Sequence, residues 1–521
     1  MSEKRRYSNR RFEKNRPEKK RSENTRFDNN YKKSEADRLR ERHEYVTAMR
    51  EKRKKSNYAI MAVSISVCAL FLGLIFYFTT YSVSHEEELI NNSFNSRQQL
   101  LVEQNRRGSI LSRNGDVLAQ TVENESGKDV RVYPYGNLFS HTVGYTGNGK
   151  YGIESQANYD LLQAHITTTE KIQNDINGEK NPADNVITTL DTELQQAASD
   201  AMGMYKGAIV VTNPKTGEIL AMVSKPDFDP ETIAEKWDDY LNDTKSGVLL
   251  NRATQGLYPP GSTCKIVTTL EYIRENPDTY NSYGYTCKGR LTHGDDTISC
   301  YHGSVHNAVD LTKSFAKSCN TSFANIGLSF DRNSYKSTVE QLLFNSELPV
   351  KFLYGKSNMS IDENTSDSDL MQNAIGQGKT LVSPFHLNLI TQAVANGGIL
   401  MKPYLISQVI SADGEVIKSF SPEEYSEFMT PEESDVLKAL MREVVVSGTG
   451  RKLNEASYTV AGKTGSAEFN GVKSDSHAWF TGFAPVEDPE IAVTVIIEGA
   501  GSGGDYAVPM ARRVLDAYFE R

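Results

Sequence analysis

The chain has 521 residues, 58 Lys+Arg against 67 Asp+Glu, and five cysteines, with 38% hydrophobic residues. That length exceeds one small module and leaves room for about three domains at roughly 100–200 residues each, while so few cysteines exclude a disulfide-stapled scaffold. The net charge of −9 hides a split: residues 1–57 carry 21 Lys+Arg against 10 Asp+Glu, a net of +11, which leaves −20 for the rest.

Residues 1–57 are rich in Arg, Lys, Asn, Ser and Glu and nearly free of aliphatic side chains up to Lys33. Such a segment cannot bury enough apolar surface to fold alone, so it is expected to be a mostly disordered basic arm, with Ser34 to Lys55 able to become helical. Nothing interleaves aromatic residues with this charge in a nucleic-acid-binding pattern, so no nucleic acid is expected as a partner. Residues 58–80 (Tyr58 to Thr80) contain no charge and would reach roughly 34 Å as a helix, enough for a bilayer core. Lys52, Arg53, Lys54 and Lys55 precede this run and Glu86, Glu87 and Glu88 follow it. The positive-inside rule therefore predicts a single-pass anchor with a cytoplasmic N-terminus and an extracellular remainder. The long preceding arm argues against a cleaved signal peptide, despite Ser82-Val83-Ser84.

Residues 81–184 are polar and turn-rich, and Ile110-Leu111 leading to Asn114-Gly115 predicts a hairpin. From Asn185 the pattern becomes regular. Thr192 to Tyr205 predicts an amphipathic helix, and Ala208 to Val211 with Ile219 to Val223 a buried hairpin turning over Asn213 to Gly217. The middle, Gly261 to Val446, is mostly helical in pattern. Tyr458 to Ala461, Ala478 to Gly482 and Ile491 to Ile497 are strand-like, and Ala507 to Phe519 closes as a helix. Strands at both ends with helices between predict an α+β domain over 185–521, an antiparallel sheet flanked by helices plus an all-helical part.

Three short motifs concentrate the chemistry. Tyr258-Pro259-Pro260-Gly261-Ser262-Thr263-Cys264-Lys265 places a turn before a helix, with Ser262 and Lys265 one turn apart on one face. A hydroxyl needs a base to become a nucleophile, and a partly buried lysine of depressed pKa can serve. Ser318-Cys319-Asn320 follows 56 residues after Ser262, and Lys463-Thr464-Gly465 lies 143 residues beyond Asn320 on a predicted strand. Ser314-Phe315-Ala316-Lys317 repeats the first spacing, and Lys215-Thr216-Gly217 repeats the third inside the hairpin turn.

In order and spacing these motifs resemble those of the penicillin-binding proteins. Their neighbourhoods agree: Gly462 to Glu468, then Ala478-Trp479-Phe480-Thr481-Gly482-Phe483, and Gly376-Gln377-Gly378 before Ser383-Pro384. Upstream, Asn95-Ser96-Arg97, Arg107 to Ala119, Tyr133-Pro134, His141 to Tyr145 and Gly152-Ile153-Glu154 resemble the pedestal of the monofunctional, class B members. The resemblance implies a penicillin-binding, serine β-lactamase-like transpeptidase fold behind a small mixed pedestal. It also implies D,D-transpeptidation of peptidoglycan stem peptides ending in D-Ala-D-Ala, with β-lactams as inhibitors.

By the same resemblance Ser262 is the nucleophile and Lys265 its base, Ser318 relays a proton, and Asn320 holds Lys265 and the substrate amide. Lys463 adds positive charge, Thr464 binds the substrate carboxylate beside Gly465, and the N–H groups of Ser262 and Ser466 form an oxyanion hole. No cofactor or metal is implied for this site. About 100 residues between the span and Asn185 are too few for a glycosyl-transfer domain, so the resemblance suggests a separate SEDS-type glycosyltransferase as partner. A slow penicillin-binding sensor or scaffold is the alternative, since acylation alone would not distinguish the two.

Two features stand apart. Glu340 to Asn345 approaches the Glu-x-x-Leu-Asn pattern of class A β-lactamases but misses it by one residue and predicts a helix end. Cys287 and Cys300 flank a turn-rich loop and are compatible with a disulfide, with a metal held alongside His293, His302 or His306, or with two unpaired small residues. In that loop His306-Asn307 stands where the family usually has His-Gly.

Overall fold

A computed structural model of the chain describes residues 34–85, 96–469 and 476–520. Most of the basic arm, the three glutamates after the span and Asn95 lie outside the described residues. The chain divides into two units, Met1–Glu86 and Glu87–Arg521.

Among the described residues the first unit is one helix, Glu35–Ser84, capped by Ser34, whose side chain accepts from the Asp37 N–H. The apolar run 58–80 is thus the C-terminal half of a longer helix, because the Lys, Arg and Glu residues before it are good helix formers and Ser34 supplies a start. Among the described residues it is the one helix long and apolar enough to cross a membrane. Side chains such as Leu70, Phe71, Leu72 and Phe76 are exposed on all sides of it, as expected of a helix whose solvent is lipid.

The second unit is α+β. Its larger sheet has six strands in the order 416–419, 406–410, 185–188, 110–111, 117–123, 129–132. The Asn114-Gly115 turn joins Ile110–Leu111 to Val117–Glu123 as predicted, with Gly115 at φ +91°. This sheet continues beyond residue 184: Asn185–Thr188 pairs in parallel with Ile110–Leu111 and antiparallel with Ile406–Ile410. Beside it Glu154 is fully buried, 2.6 Å from both Arg107 and Arg131. Burial alone would raise this carboxyl, yet the two guanidiniums hold it below its ordinary range. Glu154→Ala would leave two buried cations without their counter-ion. It is expected to cost about 3–5 kcal/mol in a denaturant titration, whereas exposed Glu424→Ala should change little.

The second sheet has five antiparallel strands in the order Ala461–Glu468, Ser476–Ala484, Ile491–Ile497, Gly207–Thr212, Ile219–Lys225. First and last segments of the domain meet in it. The three inner strands are buried on both faces and correspondingly apolar. Helices Thr192–Met202 and Ala507–Phe519 pack together on one side, and the wholly buried helix Pro384–Ala395 crosses the other. The strand expected at Tyr458 begins only at Ala461. Tyr458 packs its ring 4.4 Å from that of Phe519, and Thr459 Oγ1 accepts from the Val486 N–H, so both are engaged before pairing begins.

Candidate active site

The Pro259-Pro260 pair leads into a 3₁₀ turn, Gly261–Cys264, continued by the helix Lys265–Glu275. Gly261 has φ +54°, and a Cβ there would lie 3.0 Å from Ser466 O and from the Ala467 Cβ. A Cβ on Gly465 would meet Pro260 O at 2.9 Å. These two glycines let the Ser262 turn press against Ala461–Glu468, the edge strand of the five-stranded sheet. Gly376 completes the support, since Gly261 N–H donates to its carbonyl at 2.8 Å and a Cβ on it would collide with Gly261 O.

Lys265 is fully buried. Its Nζ donates to Ser262 Oγ (3.0 Å), Ser318 O (2.9 Å), Ser318 Oγ (3.2 Å) and Asn320 Oδ1 (2.8 Å). Burial pushes its pKa down to about 8. Lys463, equally buried, reaches Ser318 Oγ from the edge strand at 3.0 Å. Burial first, then the charge of Lys265, hold it well below the ordinary lysine range. The lysines thus flank one serine hydroxyl, and two ammonium groups so placed disfavour each other.

Ser318 adopts φ +57° in the break between the helices Leu311–Ala316 and Asn320–Leu328. For a serine that conformation is strained, and it is fixed by Cys319 N–H donating to Ser314 O. Asn320 Nδ2 donates to Ser299 O at 3.1 Å, tying the break to the neighbouring loop. Thr464 hydrogen-bonds Thr449 through their hydroxyls, and Ser466 Oγ accepts from Gly503 N–H. A groove of about 430 Å³ opens on Ser262, Ser318, Asn320, Thr464, Gly465 and Ser466. All eight sequence-predicted residues therefore belong to one place, with Lys265 and Lys463 beneath the groove floor. Thr449, in the Ser447-Gly448-Thr449-Gly450 loop, joins them, and no spacing in the sequence marks it.

The competing motifs separate. Ser314 is buried and accepts from Ser322 Oγ, while Lys317 Nζ donates to Ser447 O, so this second Ser-x-x-Lys makes no Ser–Lys pair. Lys215 and Thr216 donate their N–H groups to Asn213 Oδ1 in a turn. The helix Arg332–Gln341 ends at the predicted place before Pro349. Asn307 has φ +57°, the conformation for which glycine is the usual choice, and asparagine tolerates it.

All five cysteines are free thiols, and Cys287 Sγ lies 3.7 Å from Cys300 Sγ. Of the three histidines near the loop only His306 joins them. His293 pairs instead with Asp367 at 2.9 Å, and His302 lies exposed in a short turn. The fourth member is Cys319, the middle residue of the second motif. Cys287, Cys300, Cys319 and His306 hold their ligand atoms within 4.8 Å of one another and could hold a metal.

Known proteins carry the same architecture. The penicillin binding protein A dimerisation domain matches residues 107–186. Peptidoglycan D,D-transpeptidase PbpA of Mycolicibacterium smegmatis is 28% identical over 88% of this chain and 99% of its own. Peptidoglycan D,D-transpeptidase MrdA of Haemophilus influenzae is 29% identical over 75% of this chain and 69% of its own. Among solved structures, the D,D-transpeptidase domain of an Eggerthella lenta peptidoglycan glycosyltransferase superposes with a TM-score of 0.72. It is 30% identical and covers 80% of this chain and 99% of that one. Penicillin-binding protein A of M. tuberculosis, as a ceftriaxone acyl-enzyme, gives 0.73 at 27% identity, covering 80% and 100%. The penicillin binding protein transpeptidase domain itself matches residues 207–516, more than half of the chain, and the chain belongs to that family.

Proposed function

We propose that the protein is a membrane-anchored peptidoglycan D,D-transpeptidase working through a serine acyl-enzyme on Ser262, and that β-lactams acylate the same serine. The observation that carries this reading is the buried Lys265 Nζ, 3.0 Å from Ser262 Oγ and otherwise saturated by Ser318 and Asn320. A surface lysine could not act as a base at neutral pH, whereas one lowered to about 8 can.

In this mechanism Ser262 Oγ attacks the carbonyl between the two D-Ala residues and gives its proton to Lys265. The developing oxyanion is met by the N–H groups of Ser262 and Ser466, the latter on an edge strand that turns alternate N–H groups toward the groove. Ser318 Oγ, which touches both lysines, passes a proton to the departing amine and recovers one from Lys265, the C–N bond breaks, and the terminal D-Ala leaves. An acceptor amine then attacks the ester, its proton passes to neutral Lys265 and on to Ser262 Oγ as the ester C–O bond breaks, and Ser262 is regenerated. Lys463 and Thr464 hold the donor carboxylate. Because the buried lysines disfavour double protonation, that carboxylate draws the shared proton to Lys463 and leaves Lys265 neutral for the attack.

Residues 58–80 would anchor the enzyme, 1–57 would lie in the cytoplasm, and the pedestal (81–184) and transpeptidase part (185–521) would lie outside. The four basic residues Lys52 to Lys55 before the apolar run support that orientation. The roughly 100 residues between the span and Asn185 are too few for a glycosyl-transfer domain, so a SEDS-type glycosyltransferase in the same membrane would supply the glycan strands.

The test is fluorescent penicillin labelling of the full-length protein in detergent, together with transpeptidation of a D-Ala-D-Ala donor. Labelling and turnover at one site support the proposal, and stable labelling without turnover in the presence of a polymerase would replace it with the sensor reading. The rate of labelling should rise with pH through a midpoint near 8, because the base is active only when deprotonated. A flat profile from pH 6 to 9 would exclude Lys265 as that base.

A further inference from the structure

The segment that delivers the nucleophile has few means of holding itself in place. Pro259 and Pro260 carry no N–H, and Gly261–Cys264 behind them is a single 3₁₀ turn, so local hydrogen bonds cannot fix the direction in which Ser262 Oγ points. Fixation has to come from other parts of the chain. Some of it is backbone: Tyr258 N–H donates to Val382 O at 3.0 Å, and Val382 N–H donates to Tyr258 O at 2.8 Å. Trp479 Nε1 adds a bond to Pro259 O at 3.0 Å.

The remaining tether is a side chain. Tyr258 is 7% exposed, its ring lies edge to face with those of Trp479 and His477 (6.1 and 5.3 Å), and its hydroxyl donates to Glu498 Oε1 at 2.8 Å. Burial first, then the charge of Glu498, hold the phenol well above its ordinary range, so it remains a donor. Gly256 makes room for it, since a Cβ there would lie 2.6 Å from the ring and 2.8 Å from the hydroxyl. The same Glu498 oxygen accepts from Arg252 Nε at 2.7 Å. Arg252 is itself fixed: its side chain is 5% exposed and donates further to Gly247 O and Ser246 O. Glu498 directly follows Ile491–Ile497, the central strand of the five, and its N–H donates to Lys206 O at 2.8 Å. A carboxylate held at backbone and side chain thus receives the Tyr258 hydroxyl in a charge-assisted bond.

We propose that Glu498 and Tyr258 are positioning residues for acylation: the Glu498 carboxylate, held by Arg252, pins the Tyr258 hydroxyl and so sets the angle at which the Pro259-Pro260 segment brings Ser262 to Lys265. Neither residue touches the reacting atoms. Tyr258 lies four residues before Ser262, and the φ angles of the two prolines between them are locked, so a swing of Tyr258 is transmitted to the turn rather than absorbed. Such a swing would lengthen the 3.0 Å contact from Ser262 Oγ to Lys265 Nζ, and a misplacement of about 1 Å costs up to about 10²-fold in rate. The bond therefore acts on the chemical step and leaves the noncovalent fit of the ligand alone.

This inference rests on Ser262 as the proposed nucleophile. Saturation kinetics of penicillin labelling, on full-length protein in detergent, separate the binding constant from the acylation rate constant. Tyr258→Phe removes one hydroxyl and no charge; it should lower the acylation rate constant about 10-fold and leave the binding constant within about 2-fold. Glu498→Ala should lower acylation at least as much, and in that background Tyr258→Phe should cause no further loss, because the two residues act through one bond. Glu498→Ala also strips buried Arg252 of its counter-ion and could misfold. Glu498→Gln keeps an oxygen for both donors and should hold the rate within about 3-fold of the wild type. Tyr458→Phe is the control for stability alone, since its hydroxyl bonds Asp516 and neither residue lines the groove. It should lower the thermal midpoint much as Tyr258→Phe does, yet acylate at the wild-type rate. An unchanged acylation rate in Tyr258→Phe, losses that add in the double variant, or an equal loss in Tyr458→Phe would overturn the assignment with the proposed function intact. Wild-type protein labelled at a residue other than Ser262 would overturn the proposed function and this inference with it.

Discussion

Ser262→Ala is expected to abolish covalent penicillin labelling and to lower transpeptidation at least ~10³-fold, because removing the nucleophile of a mutually dependent set removes the chemical step itself. The fold should survive the change. Ser262 is half-buried in a 3₁₀ turn whose geometry comes from Pro260, Gly261 and the contact with Gly376, and the alanine loses only one hydroxyl. The accompanying stability change should stay within about 1 kcal/mol, consistent with loss of one neutral hydrogen bond. Mass spectrometry of the intact protein after incubation with penicillin reads this outcome directly: an unshifted mass for the variant, and one added antibiotic for the wild type. An adduct that persists in Ser262→Ala would move the nucleophile elsewhere. Ser314 is the other serine with Ser-x-x-Lys spacing, but it is buried on Ser322 and its lysine points at Ser447 O. Turnover should therefore not pass to it.

What could be read from residues alone followed local physics. The apolar runs at Ala208 to Val211 and Ile491 to Ile497 had to be strands buried on both faces. The periodic stretch from Ala507 to Phe519 had to be a helix with one apolar side. Ser262, Ser318 and Lys463 were legible because their neighbours and spacing are specific. What escaped is set by contacts remote in sequence. The hairpin 406–419 joins the pedestal sheet more than 200 residues from its partner, through pairs such as Ser407 Oγ to Ile187 O. Neither segment carries a pattern that names the other. Thr449 sits in a glycine-flanked loop with nothing periodic about it, and is brought to the site by the helix Pro431–Val446 before it. Cys319 was hidden differently: between Ser318 and Asn320 it occupies the unconstrained middle position of a motif. The sequence therefore offered Cys287 and Cys300 as a pair, whereas the structure gathers three sulfurs and a histidine.

Lys463 is where stability and activity should part most clearly. It is fully buried on the edge strand, and burial together with the neighbouring charge of Lys265 disfavours its ammonium form. Replacing a buried cation by an apolar side chain of similar length is often neutral or stabilising, so Lys463→Met should keep or raise the thermal midpoint. The acylation rate should nonetheless fall by about 10²–10³, the size expected when a preorganised charge is removed from a site shielded from water. Its signature separates it from simple damage. In the wild type a donor ending in a free carboxylate should react far faster than its C-terminal amide, because the carboxylate draws the shared proton to Lys463 and frees Lys265. In Lys463→Met that preference should collapse, since the proton has no second lysine to occupy. Exposed Lys52, in the N-terminal half of the long helix, offers the matched control: Lys52→Ala should leave both the rate and the carboxylate preference unchanged in detergent. Equal losses in the two variants, or a carboxylate preference that survives in Lys463→Met, would mean that the proton on Lys265 is controlled by burial alone.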